Sequence, residues 1–494
     1  MKRYISYITI FLAAAMLSVS CAGWLNVDSE DRILEEKLFS DRDGFYTALN
    51  GVYIDLVNTN LYSGKLGPST PDILAQYYDT TVDSHTYGSL AQYQTEAKRT
   101  AVADIWTRAY FLILNINKII EHCDEKKGTV LNDTDYSIIK GECLGLRAML
   151  HFELFRYFGD IYSRRPGTDA IPYVTSGDPK VNPILKTAEI ASRLNEDLED
   201  AMELLIQSDP VIETGKNEVD NGGRNLYNFR NLRFNYFAVK ALAARIDMYL
   251  GSTYTEKALQ YAEEVIRDAA EFFPFTKREE ANGQAAVGTP TVSAEDRVFS
   301  SDILFAVYNV KRGADIYEKF FSNTLEVKQL LSMKSNGFNN LYPEEGDLRR
   351  NQWQLKKDPL GNDIQCFVKY EAMEVSGKNY PYMIPVLRMS EMYLIAAECY
   401  ATVASVKDVQ KAYERLNAVR TARQTSPAET AIEANIEYEY MREFAGEGQM
   451  FWFYKRKGME TIPTIYDRSQ NPARVSEMNG YIFERPQSED GFRN

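Results

Sequence analysis

Seven apolar residues between Val102 and His122 constrain this chain more than any other feature. Ile105, Ala109, Leu112, Ile113, Ile116, Ile119 and Ile120 fall at i, i+4, i+7, i+8, i+11, i+14 and i+15, a wide apolar stripe down one side of a helix. Such a stripe has to be buried against another element. A partner follows at once. After the polar turn DEKKGTVLNDTD, Ile139, Cys143, Leu146 and Leu150 line one face of a second helix. The two read as an antiparallel helical hairpin.

The same device recurs along the chain. Ser40, Asp41 and Asp43 precede FYTALNGVYIDLV and read as a capped helix start. Further helices are expected at about 187–206, 231–250 and 255–270. RMSEMYLIAAECY places Met389, Tyr393, Ala396, Ala397 and Tyr400 on one face, and VQKAYERLNAVRTAR offers Val409, Tyr413, Leu416 and Val419 as the facing stripe. Hairpins of this size suggest tetratricopeptide-like pairs. Two polar stretches, SDPVIETGKNEVDNGGRN and FTKREEANGQAAVGTPTVSAED, read as exposed loops. An irregular middle, 275–385, carries the β-like runs DILFAVYNV and IQCFVKY. The expected fold class is therefore mainly all-α with short β-segments. It divides into an N-terminal half, 21–235, and a C-terminal half, 236–494, with helical hairpins again at 386–460.

Residues 1–20 read as a secretory signal. Lys2 and Arg3 precede an apolar run from about Ile5 to Val19, and small Ser18 and Ser20 stand before Cys21. The cysteine after the small residues reads as the acylated first residue of a bacterial lipoprotein. That reading anchors the protein to a membrane without spanning it, because the run is shorter than the ~20 residues a spanning helix needs.

Composition closes off several classes. A net charge of −14 argues against nucleic acid as a partner, since phosphate contacts need clustered Lys and Arg. Only His85, His122 and His151 offer imidazoles, and none of the common zinc, nucleotide or serine-hydrolase motifs is present. No metal, no cofactor and no catalytic residue is expected, and the chain reads as a non-enzyme. Cys123 and Cys143 could be bridged or, as helical pattern residues, simply buried. Glu443 and Glu447 are spaced like a glycosidase acid pair, but salt bridging with Arg420 or Arg442 is the favoured reading. Arg388, Glu391 and Glu398 are read as joining the hairpin to its neighbours. Asp302, Asp347 and the stretch Asp79–Asp83 lack the spacing of a calcium loop.

Several segments resemble the SusD/RagB family of outer-membrane lipoproteins. WLNVD after Cys21 is similar to the family's opening, and FYTALNGVYIDLV to its first helix. IWTRAYFLILNINKIIEHC with GECLGLRAMLHFELFRYFGDI resembles its core helical pair. LYPEEGDLRR followed by Lys369 and Tyr370 matches its middle. Arg388, Glu391, Ala397, Glu398, Leu416, Asn417 and Arg420 stand at the positions of its C-terminal hairpin, and Arg442, Glu443, Phe444, Glu447 and Gly448 at those of its closing helix. Gln449, Met450, Phe453 and Tyr454 depart from its pattern.

The resemblance implies a surface-exposed lipoprotein with four tetratricopeptide-like helix pairs. It would capture glycan or peptide and hand it to a SusC-like TonB-dependent outer-membrane transporter, over which it acts as a lid. The alternative is a tetratricopeptide-like protein-interaction lipoprotein that binds no small ligand. A sugar site needs flat aromatic faces beside planar donors and acceptors. The aromatic loop 70–95 has that composition, in Asp72, Gln76, Tyr77, Tyr78, Asp79, His85, Tyr87 and Tyr93. Trp353 joins these from the middle region, with Asn309, Arg312, Asn340 and Tyr342 as second-rank candidates.

Overall fold

The hairpin expected from the Ile-rich stripe forms, and it is longer at both ends than its apolar core. The computed structural model describes residues 30–220, 222, 225–283, 295–465, 473–474, 480–487 and 489. The secretory signal, Cys21 and WLNVD lie outside the described residues. Two compact units follow one another, one running up to Phe45 and one from Tyr46 onward. In the first, helix α1 (Glu30–Leu38) is followed by Phe39 and Phe45 with ring centroids 4.9 Å apart. Asp41 caps the next helix, α2 (Arg42–Leu56), by accepting the Gly44 amide at 2.9 Å. Ser40 instead donates back to the Lys37 carbonyl, so of the polar residues read as the capped start Asp41 is the one that caps.

The second unit is an array of helix pairs. Helix α3 (Thr95–Lys126) packs on α4 (Asp133–Phe158), and α4 on α5 (Thr187–Leu205). Helices α6 (Tyr236–Leu250) and α7 (Thr255–Ala269) pair next, then α8 (Met389–Thr402) and α9 (Val409–Ala422). Contacts of α5 with α6 and of α7 with α8 join the pairs in series. Helices α10 (Ile432–Glu443) and α11 (Met450–Lys457) close the chain's helical part. The start expected at 231 falls instead at Tyr236, because Asn235 takes the cap position and accepts the Ala238 amide at 3.0 Å.

Helix α4 is enclosed along most of its length, so it has no polar face. Close approach requires a glycine. A Cβ on Gly145 would stand 2.5 Å from the Phe234 ring. Its buried polar side chains are all engaged: Arg147 holds Asp197 at 2.6 and 2.7 Å, and Glu142 receives Arg230 at 2.6 Å. His151 Nε2 accepts the Val174 amide at 3.0 Å, so Nδ1 carries the proton and donates to the Arg147 carbonyl at 2.9 Å. Its ring stacks on Tyr173, 3.9 Å between centroids.

Burial pushes the His151 imidazole down to about 3. Below the ordinary histidine value the unfolded chain therefore takes up a proton that the folded chain refuses. Stability should fall by ~1.4 kcal/mol per pH unit from about pH 6.5 toward pH 3 on this account. Urea unfolding at several pH values checks it, and His151→Gln should remove that part of the slope.

Facing stripes on α8 and α9 differ from those expected. Met389, Ala396 and Ala397 are buried as expected, but Tyr393 and Tyr400 are only half-buried, and Glu391, Met392, Leu394, Ile395 and Glu398 are buried as well. On α9, Val409 is 44% exposed and Ala412, Leu416, Val419 and Arg420 face inward. Charged residues carry part of each inner face, so apolarity alone leaves out Glu391, Glu398 and Arg420. Cys123, Cys143, Cys366 and Cys399 are free thiols and buried, which removes the bridged alternative.

The middle region holds short antiparallel strands. Strand β1 (Asp169–Pro172) pairs with β2 (Ile184–Lys186). Strand β3 (Ile303–Tyr308) pairs with β7 (Met383–Arg388), from Ile303 opposite Arg388 to Tyr308 opposite Met383. Strands β4 (Ser332–Met333), β6 (Asp363–Phe367) and β5 (Trp353–Lys357) form a sheet in that order. The runs DILFAVYNV and IQCFVKY thus supply β3 and β6.

A buried ionic cluster ties this region to the last helices. Glu443 accepts from Arg349 at 3.1 Å, Arg388 at 2.5 Å and Arg423 at 2.6 Å. Glu447 accepts from Arg388 at 2.9 Å and Lys369 at 2.5 Å. Arg349 also holds Asp347 at 2.8 Å and Glu439 at 2.6 Å, and Arg423 reaches Asp302. The expected partners of Glu443 and Glu447, Arg420 and Arg442, bind Glu439 instead.

Candidate functional site

The segment 70–95 is pinned to the rest of the molecule from within. A short helix, Thr70–Leu74, carries Pro71 in its first turn and is wholly buried. Its Asp72 carboxylate accepts the Gly446 amide at 2.6 Å and the Gly448 amide at 3.1 Å. Gly446 is required there. Its φ is +79° and a Cβ would lie 2.3 Å from the Phe367 ring. Burial raises the Asp72 carboxyl to about 8, against the pull of those two amides. Asp72→Ala leaves both amides without an acceptor and should cost ~1–3 kcal/mol for each. Chemical denaturation measures the loss.

Most residues singled out in the sequence face inward. Tyr77 is 1% exposed and donates to the Met441 carbonyl at 2.6 Å; Tyr78 donates to the Pro68 carbonyl at 3.0 Å. Trp353 is buried in β5 against Phe367, with centroids 4.7 Å apart. Gln76 bonds the Ala91 carbonyl at 2.9 Å, and Tyr93 the Leu74 carbonyl at 2.7 Å. Asp79 pairs with Lys334 at 2.9 Å, and hydrogen bonds from Lys334 and Thr81 outweigh burial to lower its carboxyl. These groups hold the segment's shape. Second-rank candidates behave alike. Asn309 bonds Ser63, Arg312 donates to the Tyr380 and Met383 carbonyls, Asn340 to the Ile465 carbonyl and Tyr342 to the Arg442 carbonyl.

Tyr87 is the exception. It is half-buried beside His85 and lines a cavity of about 730 Å³. His85 Nδ1 accepts the Tyr87 amide at 3.2 Å, so Nε2 carries the proton toward the Leu330 carbonyl, 3.3 Å away. Backbone bonds from Asp79 to the Ser332 carbonyl and from Thr86 to the Lys328 carbonyl clamp this stretch onto the middle region.

Another part of the lining comes from a π-helical turn, Gly313–Phe321, which ends with the Ser322 amide bonded five residues back to Tyr317. Such wide turns often mark functional sites. This one sets Lys319 and Phe320 against the cavity. Gly64, beside the Phe320 ring, is needed for the backbone, since a Cβ there would lie 2.4 Å from the Thr59 carbonyl oxygen. Asn60, Thr86, Ser89, Gln94 and Thr100 add hydroxyls and amides to the lining, and Lys65 and Glu96 add charge. Lys319 makes no ion pair among the described residues.

Half-exposed rings beside convergent hydroxyls and amides suit a polar ligand with flat apolar faces. The carboxylates that spacing alone offers as an acid pair, Glu443 and Glu447, lie instead within the ionic cluster. Burial is outweighed there by Arg423 and Arg388, which hold the Glu443 carboxyl well below the usual range. Among the described residues, no group of three or more His, Cys, Asp or Glu side chains is placed to hold a metal ion. Sequence reasoning missed Phe320, Lys319 and Asn60. An aromatic pair in YEKFF was the available signal, but helical periodicity does not foretell a π-turn.

Comparisons with known proteins agree on the fold. A family model described as the SusD family matches residues 276–488, and one described as starch-binding, associating with the outer membrane, matches residues 31–215. No curated protein sequence matches the chain. A SusD superfamily protein from Bacteroides thetaiotaomicron superposes with a TM-score of 0.68 at 19% identity, covering 91% of this chain and 98% of that one. A SusD-like carbohydrate binding protein from Bacteroides vulgatus gives 0.67 at 18% identity, covering 91% and 96%. Surface glycan-binding protein A from Bacteroides thetaiotaomicron, in complex with laminarihexaose, gives 0.63 at 17% identity, covering 92% and 98%.

Proposed function

This chain belongs to the SusD family, and on that footing we propose that it captures glycan at the cell surface, in the cavity between Tyr87 and Phe320. The observation that carries this reading is the cavity's lining: two half-buried rings facing hydroxyls and amides on a framework fixed by buried hydrogen bonds. Sugar rings stack their C–H faces on such rings and spend their hydroxyls on such polar groups. Capture is non-covalent, and no side chain in the cavity is assigned a chemical step. Support for a glycan also comes from the relative bound to laminarihexaose and from the starch-binding family description.

The bound glycan passes to a SusC-like TonB-dependent transporter, over which the protein sits as a lid. Cys21 carries the lipid that keeps it at the outer membrane. Among the described residues no helix is long and apolar enough to cross a membrane, which accords with attachment by lipid. A tether raises the lid's local concentration at the barrel without requiring a tight protein contact.

Calorimetric titration with α-glucan, β-glucan and peptide panels tests the reading. One glycan class should saturate the Tyr87 cavity, with no change in the sugar after long incubation. Saturation by peptides alone would refute it.

A further inference from the structure

A second cleft, of about 740 Å³, shares none of its lining residues with the Tyr87 cavity. Two loops wall it, one within 216–229 and one within 374–382. Both are fixed from beneath. On one side Arg230, fully buried, is held by Asp209 at 2.8 Å and Glu142 at 2.6 Å, while the Phe229 amide bonds the Asn217 carbonyl at 2.9 Å. On the other, Arg312 donates to the carbonyls of Tyr380 and Met383, and the Asn309 amide bonds the Tyr382 carbonyl at 2.8 Å. The walls are therefore preformed.

Their lining combines rings with acid groups. Phe229 lines the cleft from a left-handed backbone conformation, φ +48°. Tyr382 lines it with its ring braced on Tyr308, centroids 5.4 Å apart at 61°. Around them stand Glu218, Asp220 and Glu374, with Lys378 the one cation among the described lining residues. Among the described residues Glu374 and Lys378 make no side-chain hydrogen bond or ion pair, which leaves both available to a ligand.

We propose that this cleft is a second saccharide site, selective for units that carry an amine and no acid group. Its rings offer stacking faces to the sugar's C–H surface and a cation–π contact to an ammonium. Its carboxylates accept charge-assisted hydrogen bonds from that ammonium and from hydroxyls. A uronate or sulfate would instead meet three carboxylates against the single Lys378 ammonium among the described lining residues. The site shares only its ligand class with the proposed function and uses none of the same residues.

Hydrogen–deuterium exchange with a glucosamine hexamer and, separately, an oligogalacturonate tests it. The hexamer should protect 216–220 and 374–382, the oligogalacturonate should not, and raised salt should weaken the effect. Tyr382→Ala should lower hexamer affinity at this cleft about tenfold. Glu374→Gln, on the surface and safe for folding, should lower it severalfold. Absence of protection in those segments, or protection unchanged in both variants, would overturn the proposal. Protection of 86–97 and 319–320 reads the other cavity, so failure of either site is seen separately.

Discussion

Glu443→Ala should lower the unfolding free energy by ~3–5 kcal/mol or prevent folding altogether. Three guanidiniums converge on that carboxylate, from Arg349, Arg388 and Arg423, and each of the four side chains is within 1% of full burial. Removing it leaves those positive charges facing one another in a low-dielectric interior. Asp302, Asp347 and Glu447 each pair with one of those same guanidiniums, Arg423, Arg349 and Arg388, and so offset part of the charge. Glu443→Gln, keeping the shape and two bonding groups while losing the charge, should fall between wild type and alanine. Urea unfolding of both variants gives the answer. A loss below ~1 kcal/mol for Glu443→Ala would mean that the cluster is solvated and contributes little.

The second large effect concerns the ligand. Tyr87→Ala and Phe320→Ala should each weaken glycan binding about tenfold, or ~1.4 kcal/mol, and the pair about a hundredfold if the two rings act independently. Both rings are half-buried, so their loss removes stacking faces without opening the core. Tyr77→Phe makes the contrasting control. It deletes only the buried hydroxyl bonded to the Met441 carbonyl, so stability should drop by ~1 kcal/mol while affinity stays within twofold. Equal affinity losses for Tyr77→Phe and Tyr87→Ala would show that the segment acts through its shape alone.

That contrast also marks how far the sequence could be read. Repeated 3.6-residue stripes sufficed for the paired helices, because burial against a neighbour is what such stripes are for. They failed where charge carries the inner face, as at Glu391 and Glu398 on α8, since periodicity counts apolar residues only. Composition pointed to the aromatic loop 70–95. It could not separate Tyr77 and Tyr78, whose hydroxyls end on buried carbonyls, from Tyr87 beside the cavity, because all are tyrosines in one polar segment. Phe320 was illegible for a different reason: it reaches the site through a π-turn, and it lies more than two hundred residues from Tyr87 in the chain. Resemblance at the level of family motifs was firmer than any single site residue. Those motifs fall largely on the ionic cluster, in Arg388, Glu443 and Glu447, and so mark the fold rather than the ligand.

The central claim is that glycan occupies the cavity between Tyr87 and Phe320. A crystal structure of the protein with its tightest-binding oligosaccharide tests that most directly. The expected result is a sugar ring against the Tyr87 and Phe320 side chains, with hydroxyls bonded to members of the Asn60, Ser89, Gln94 and Thr100 set. A fully occupied oligosaccharide elsewhere on the molecule, with this cavity holding only solvent, would contradict the account.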